Sequence, residues 1–114
     1  MAIDYSKQAG QKITTKGNQK TCVNVESIMY IRCDDDMATI FLNDKSKVSE
    51  IKTLNEYEKI LSDKGFIRIS RDTIVNSKYI TKVSTNADKR IVYLGEINLN
   101  VSRRRLKYLK KCLY

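Results

Sequence analysis

What most constrains this chain is how often it must turn, and it has no proline to help it do so. Lys16-Gly17-Asn18, Asp34-Asp35-Asp36, Asn43-Asp44-Lys45 and Gly95-Glu96 interrupt the apolar segments at short intervals. The aspartate triplet is the firmest of these signals. Three adjacent carboxylates repel one another and cannot be buried together, so 34–36 has to be a solvated turn. The segments between the turns, 12–15, 21–25, 27–33, 38–42 and 47–51, are rich in β-branched and aromatic residues and read as short strands. A hairpin about Lys16-Gly17-Asn18 joins the first two.

One mid-chain segment has a different period. Across 53–64, Leu54, Tyr57 and Leu61, with Ile60 beside them, recur at helical spacing. Thr53 and Glu56 have the Thr-x-x-Glu spacing of a capping box, and Gly65 can adopt the left-handed conformation that ends a helix. This helix is expected to cover a sheet. The period then returns to two: Phe66-Ile67-Arg68-Ile69-Ser70-Arg71 alternates apolar and polar residues like a half-buried strand. Ile74-Val75 leads into Asn76, read as a turn residue, and 79–84 reads as a further strand. Residues 90–94 and 97–101 form a hairpin in which Ile97, Leu99 and Val101 face one way and Asn98 and Asn100 the other. The pattern predicts a mainly β domain of short antiparallel strands, with one mid-chain helix and a basic C-terminal helix. At 114 residues the chain is expected to be a single domain, with residues 1–10 a flexible lead-in or linker.

Composition narrows the chemistry. The chain has no histidine, and its three cysteines, Cys22, Cys33 and Cys112, show no Cys-x-x-Cys spacing. Zinc sites, Ser-His-Asp catalysis and Cys-His catalysis are therefore not expected. No phosphate-binding glycine loop is present, so the chain is read as a non-enzyme without metal or cofactor. It has no signal-peptide-like start and no apolar run long enough to span a bilayer, which makes the cytoplasm the default expectation.

The net charge is +9, and Arg103 to Lys111 alone carry six positive charges and no negative one. From Ser102, an N-cap residue, to Leu113 this segment reads as a helix. At 100° per residue, Leu106, Leu109, Cys112 and Leu113 share one arc, while Arg103, Arg104, Lys107, Lys110 and Lys111 share the opposite one. Arg105 and Tyr108 lie between. The leucines would dock on the sheet and the cations would face outward. Three arginines at the positive end of a helix dipole point to an anionic partner. That partner can be nucleic acid, an acidic protein or an anionic membrane surface.

The run from Phe66 through Arg68, Arg71, Val75 and Asn76 to Tyr79-Ile80, followed by Val101-Ser102-Arg103-Arg104, resembles the LytTR DNA-binding domain. That family carries a phrase close to F-x-R-x-H-R-S-x-x-V-N-x-x-Y-I and a later V-S-R-R-type element. Ile28-Met29-Tyr30-Ile31 and the capped helix also fall where the family has its early strand and helix, so the resemblance covers nearly the whole chain. It implies stacked antiparallel sheets in a β-β-β sandwich. It also implies the output domain of a bacterial transcription regulator, commonly behind a receiver domain in two-component systems. Such domains bind direct-repeat duplex DNA as two protomers per site and insert loops into successive major grooves.

Carried over by position, Arg71 and Arg104 match base-contacting places. Ser102, Arg103, Arg105 and Lys107 match phosphate-contacting places, and Asp36 and Met37 fall in a third loop of the contact surface. The chain departs from the family at Ser70 and Asp72, which stand where the family usually has His and Ser. The third loop is triply acidic here. On the residues alone, a protein-interaction module or an anionic-membrane-surface module using the C-terminal helix remains the alternative.

Overall fold

The protein is described by a computed structural model covering residues 2–4, 12–15, 21–86 and 88–113. Its strands are β1 (Ala2–Asp4), β2 (Lys12–Thr15), β3 (Thr21–Asn24), β4 (Ile28–Asp34), β5 (Met37–Leu42) and β6 (Lys47–Ile51), followed by helix α1 (Leu54–Leu61). Then come β7 (Phe66–Arg68), β8 (Thr73–Asn76), β9 (Lys82–Asn86), β10 (Lys89–Leu94), β11 (Ile97–Asn100) and helix α2 (Arg103–Leu113). Every strand pairing is antiparallel. A central sheet in the order β6-β5-β4-β8-β7 is accompanied by the three-stranded sheets β1-β2-β3 and β11-β10-β9.

Each face of the central sheet has its own core. Ile31, Ala38, Ile40, Phe66 and Ile74 point to one side, where Leu54, Tyr57 and Leu61 of α1 and Val23 and Val25 cover them. Tyr30, Ile67, Ile69 and Val75 point to the other, against Val92, Leu94, Leu99, Val101 and Leu109 of the C-terminal sheet and α2. Strict alternation along β4 would put Ile28 on the same side as Tyr30. A register irregularity between these residues resets the phase and turns Ile28 into the α1 core. Such two-sided burial is the stacked-sheet arrangement expected for the chain.

The mid-chain helix starts and stops as its sequence dictates. Glu56 N donates to Thr53 Oγ1 at 3.2 Å, and Gly65 has φ +83° after a short 3₁₀ turn. Asp35, inside the aspartate turn, takes φ +56°, a conformation that Asp tolerates better than most residues.

Several details differ from the sequence reading. Within the segment 1–10 expected to be a lead-in, Ala2–Asp4 pairs with Lys12–Thr15 and extends the N-terminal hairpin. The turn at 16–18 lies outside the described residues, although Thr15 faces Thr21 across it in the pairing register. Asn76 starts a turn as expected but is also buried: its Nδ2 donates to Ile28 O at 2.9 Å, and its Oδ1 accepts from Lys78 N at 3.1 Å. That second bond winds 77–79 into a 3₁₀ turn and delays β9 to Lys82. Cys112 is exposed, because the leucine arc of α2 is narrow enough to leave it at the edge.

Candidate nucleic-acid interface

The site begins where β7 ends. Alternation turns Ile67 and Ile69 into one core and Arg68 toward α1, where burial forces the guanidinium to find acceptors. It finds four. Arg68 Nε donates to Ser70 O at 3.1 Å and Nη2 to Arg71 O at 2.6 Å. Nη1 donates to Asn55 Oδ1 at 2.5 Å and to Glu58 Oε1 at 3.1 Å, both on α1.

The chain between β7 and β8 is thereby gripped from below and closed from above. Ile69 N donates to Thr73 O at 3.0 Å. Asp72 Oδ1 accepts from Ser70 Oγ at 2.7 Å and from Thr73 Oγ1 at 2.9 Å. The Ser70 hydroxyl, with a smaller contribution from Thr73, holds the Asp72 carboxyl below the ordinary aspartate range. Asp72 therefore serves its own turn, and Arg71 at the tip is exposed.

The start of α2 is stitched to this turn through the backbone. Val101 N donates to Arg90 O at 2.8 Å, and Ser102 N donates to Ile69 O at 2.8 Å. Ser102 caps the helix as its residue type predicts, with Oγ accepting from Arg105 N at 3.2 Å. Leu109 is fully buried, and Leu106 and Leu113 pack on the same core, so the cationic arc faces outward.

These connections bring distant residues to one place. Arg71 and Arg104 line a single cleft of about 310 Å³ with Ser102, Arg105 and Arg68. Arg103 and Lys107 are exposed on α2 just outside it. Among the described residues, Arg71, Arg103, Arg104 and Lys107 take part in no ion pair. Arg105 is different, because its Nη1 lies 3.6 Å from Glu58 Oε2.

Asp36 and Met37 do not line this cleft. Both are exposed, Asp36 in the β4–β5 turn and Met37 at the start of β5, and Asp34 and Asp35 of the same hairpin border a second cleft of about 450 Å³ that Arg71 and Asp72 also line. Cys33 lies at its edge, and burial pushes its thiol up, away from reactivity. Among the described residues no cluster of side chains is suited to hold a metal. No helix among the described residues is long and apolar enough to cross a membrane.

A positive cleft walled by a turn and a helix start, with unpaired arginines from each, suits a polyanion. The sequence model of the LytTr DNA-binding domain matches residues 18–114. The chain belongs to the LytTR family of DNA-binding domains. Membership of that family makes DNA binding in transcription regulation the role of this LytTR domain.

The domain is 32% identical over 101 residues to sensory transduction protein LytT of Bacillus subtilis (strain 168). That match covers 86% of this chain and 41% of the relative, so the chain spans well under half the length of that curated protein. The fold is similar to the solved LytTr DNA-binding domain of a Bacillus cereus protein described as a methyl-accepting/DNA response regulator. There the TM-score is 0.77 at 22% identity, covering 90% of this chain and 95% of the other.

Of the residues singled out from sequence, the structure gathers Arg71, Ser102, Arg104 and Arg105 and leaves Asp36 and Met37 on the neighbouring turn. Arg68, Asn55 and Glu58 were not picked out as part of the site. A signal for Arg68 was present, since period two places it with Phe66 on the face that α1 covers, where a cation requires acceptors.

Proposed function

We propose that this LytTR domain recognises duplex DNA sequence-specifically, as the output domain of a two-component transcription regulator. Arg71 and Arg104 enter a major groove, where each arginine can pair in bidentate fashion with guanine O6 and N7. Ser102, Arg103 and Lys107 meet phosphates and fix register; the Ser102 hydroxyl, already accepting from Arg105 N, still has its proton to donate. Two protomers occupy a direct repeat, and a receiver domain precedes this domain in the full regulator. The domain acts by binding and carries out no catalysis.

The observation that carries this reading is the shared cleft. Two arginines from different elements, each without an ion-pair partner, converge there. The same geometry speaks against an anionic-membrane role, because the leucines such a helix would insert into lipid are committed to the core.

Selection of bound duplexes from a random pool tests the proposal. The expected product is a tandem repeat containing guanine. On that site Arg104→Ala should cost about 1–3 kcal/mol and relax the preference at one position. Failure to enrich any motif, or an Arg104→Ala variant with unchanged affinity for selected and random duplexes, would sink the reading.

A further inference from the structure

We propose that Arg68, Glu58 and Arg105 are positioning residues that fix the separation and aim of Arg71 and Arg104, and that Arg105 serves this frame instead of a phosphate. The inference rests on the DNA reading above and assigns these three residues no direct contact with DNA.

Arg68 is nine-tenths withdrawn from solvent, its side chain 11% accessible, and all three of its nitrogens are engaged inside the protein. Two of its bonds end on the carbonyls of Ser70 and Arg71, the second being the residue whose side chain reads. Its other two end on α1. The rigid guanidinium fork thus ties the turn that carries Arg71 to α1, no residue of which lines the cleft shared by Arg71 and Arg104.

Glu58 carries the connection onward. One carboxylate oxygen takes Arg68 and the other faces Arg105, a residue of the first turn of α2. The next residue back is Arg104, the second reader. With the Ser102 N to Ile69 O bond, the turn and the helix start are joined twice, once through backbone and once through the Arg68–Glu58–Arg105 chain.

The energetics suit a geometric role. Glu58 and Arg105 are 38% and 31% accessible at their side chains, and an ion pair so open to water adds little to stability. Its effect is to restrict where the two elements can sit. A recognition constellation must be held to within about 0.5 Å to keep bidentate geometry. Arg105 cannot give its full charge to a phosphate while it faces Glu58.

The test compares Arg68→Lys, Glu58→Gln and Arg105→Gln with the unaltered protein. Dissociation constants are measured on the selected operator and on a random duplex across a salt series, with thermal melts to confirm folding. Arg68→Lys keeps the charge but replaces a planar fork that reaches four acceptors from three nitrogens by a single ammonium nitrogen, and Glu58→Gln keeps the shape but not the charge. Both should lose roughly 5- to 100-fold on the operator while random-duplex affinity and salt slope stay near the original. Arg105→Gln should lower operator affinity without changing the slope, whereas a phosphate contact would reduce the slope by about 0.9.

Retained operator preference in both Arg68→Lys and Glu58→Gln would overturn the inference, as would a slope change of that size for Arg105→Gln. Should Arg68→Lys fail to fold, Glu58→Gln, at a half-buried position, decides alone. If Arg104→Ala loses preference and these variants do not, only the positioning role fails. If the unaltered protein enriches no motif, the DNA reading fails with it.

Discussion

Replacing Leu109 by Ala asks whether α2 is integral to the domain or merely capped onto it. Leu109 is fully buried in the core shared by Val92, Leu99, Val101 and the far face of the central sheet. It is also the buried residue of α2, the flanking Leu106 and Leu113 being partly exposed. Removing three carbons there loses their transfer free energy and leaves a void that a sheet on two sides cannot fill. Substitutions of this kind cost about 2–5 kcal/mol. For a chain of this size each kcal/mol lowers Tm by about 4 °C, so a fall of roughly 8–20 °C is expected. Urea unfolding followed by circular dichroism should show an earlier midpoint with an unchanged slope, since the same surface is exposed in one transition. Lys110→Ala, one residue on and exposed, should stay within about 0.5 kcal/mol. A loss below about 1 kcal/mol for Leu109→Ala would mean that α2 is held by its Ser102 cap and backbone bonds, and the packed-platform account would be wrong.

Two further outcomes follow from the same surface. Lys107 is exposed and unpaired, so Lys107→Ala should weaken operator and random duplexes by similar factors and reduce the salt slope by about 0.9; a selective loss on the operator would make it a reader instead. Asp72 has a folded pKa held down by Ser70 and Thr73, so its stabilising contribution is complete above its unfolded value of about 3.9 and disappears as pH falls through the lower folded value. The Tm advantage of the native protein over Asp72→Asn should therefore shrink as pH falls below about 4, and an advantage independent of pH would refute the assignment.

The fold was legible wherever a local rule decided it. The Thr53 cap, the Gly65 stop, the strand 47–51 and the Ile97-Leu99-Val101 face each follow from neighbouring residues, and each appears in the structure. Illegible features depended on partners far along the chain. Nothing near Ile28 announces the phase change in β4, because its cause is the need to fill the core under α1. Asn76 has the composition of a turn residue, yet the carbonyl of Ile28, 48 positions away, takes its amide and draws it inside. Arg71 and Arg104 stood out as exposed cations in recognisable phrases. Arg68 belongs to the same phrase as Arg71, but its part in the site is not legible there, because it depends also on α1 residues 10 and 13 positions distant.

The two arginines proposed to read bases, Arg71 and Arg104, sit in unlike electrostatic surroundings, and on that proposal their contributions to binding should differ accordingly. Arg104 lies among Arg103, Arg105 and Lys107, within the chain's densest run of positive charge. Its field adds to a stripe that draws phosphates over distances approaching the roughly 8 Å screening length at physiological salt. Arg71 borders both clefts, and the second brings Asp34, Asp35 and Asp72 beside it. Those carboxylates offset its long-range pull, so on the proposed reading Arg71 would contribute little to encounter and would act through short-range hydrogen bonds once a base edge is in place. The same carboxylates repel a backbone docked one step out of register, and repulsion of a wrong alignment is itself a source of specificity. On that reading the aspartate turn would need no base contact through Asp36 or Met37 to influence recognition: it would penalise misplaced phosphates beside the arginine that α2 does not supply.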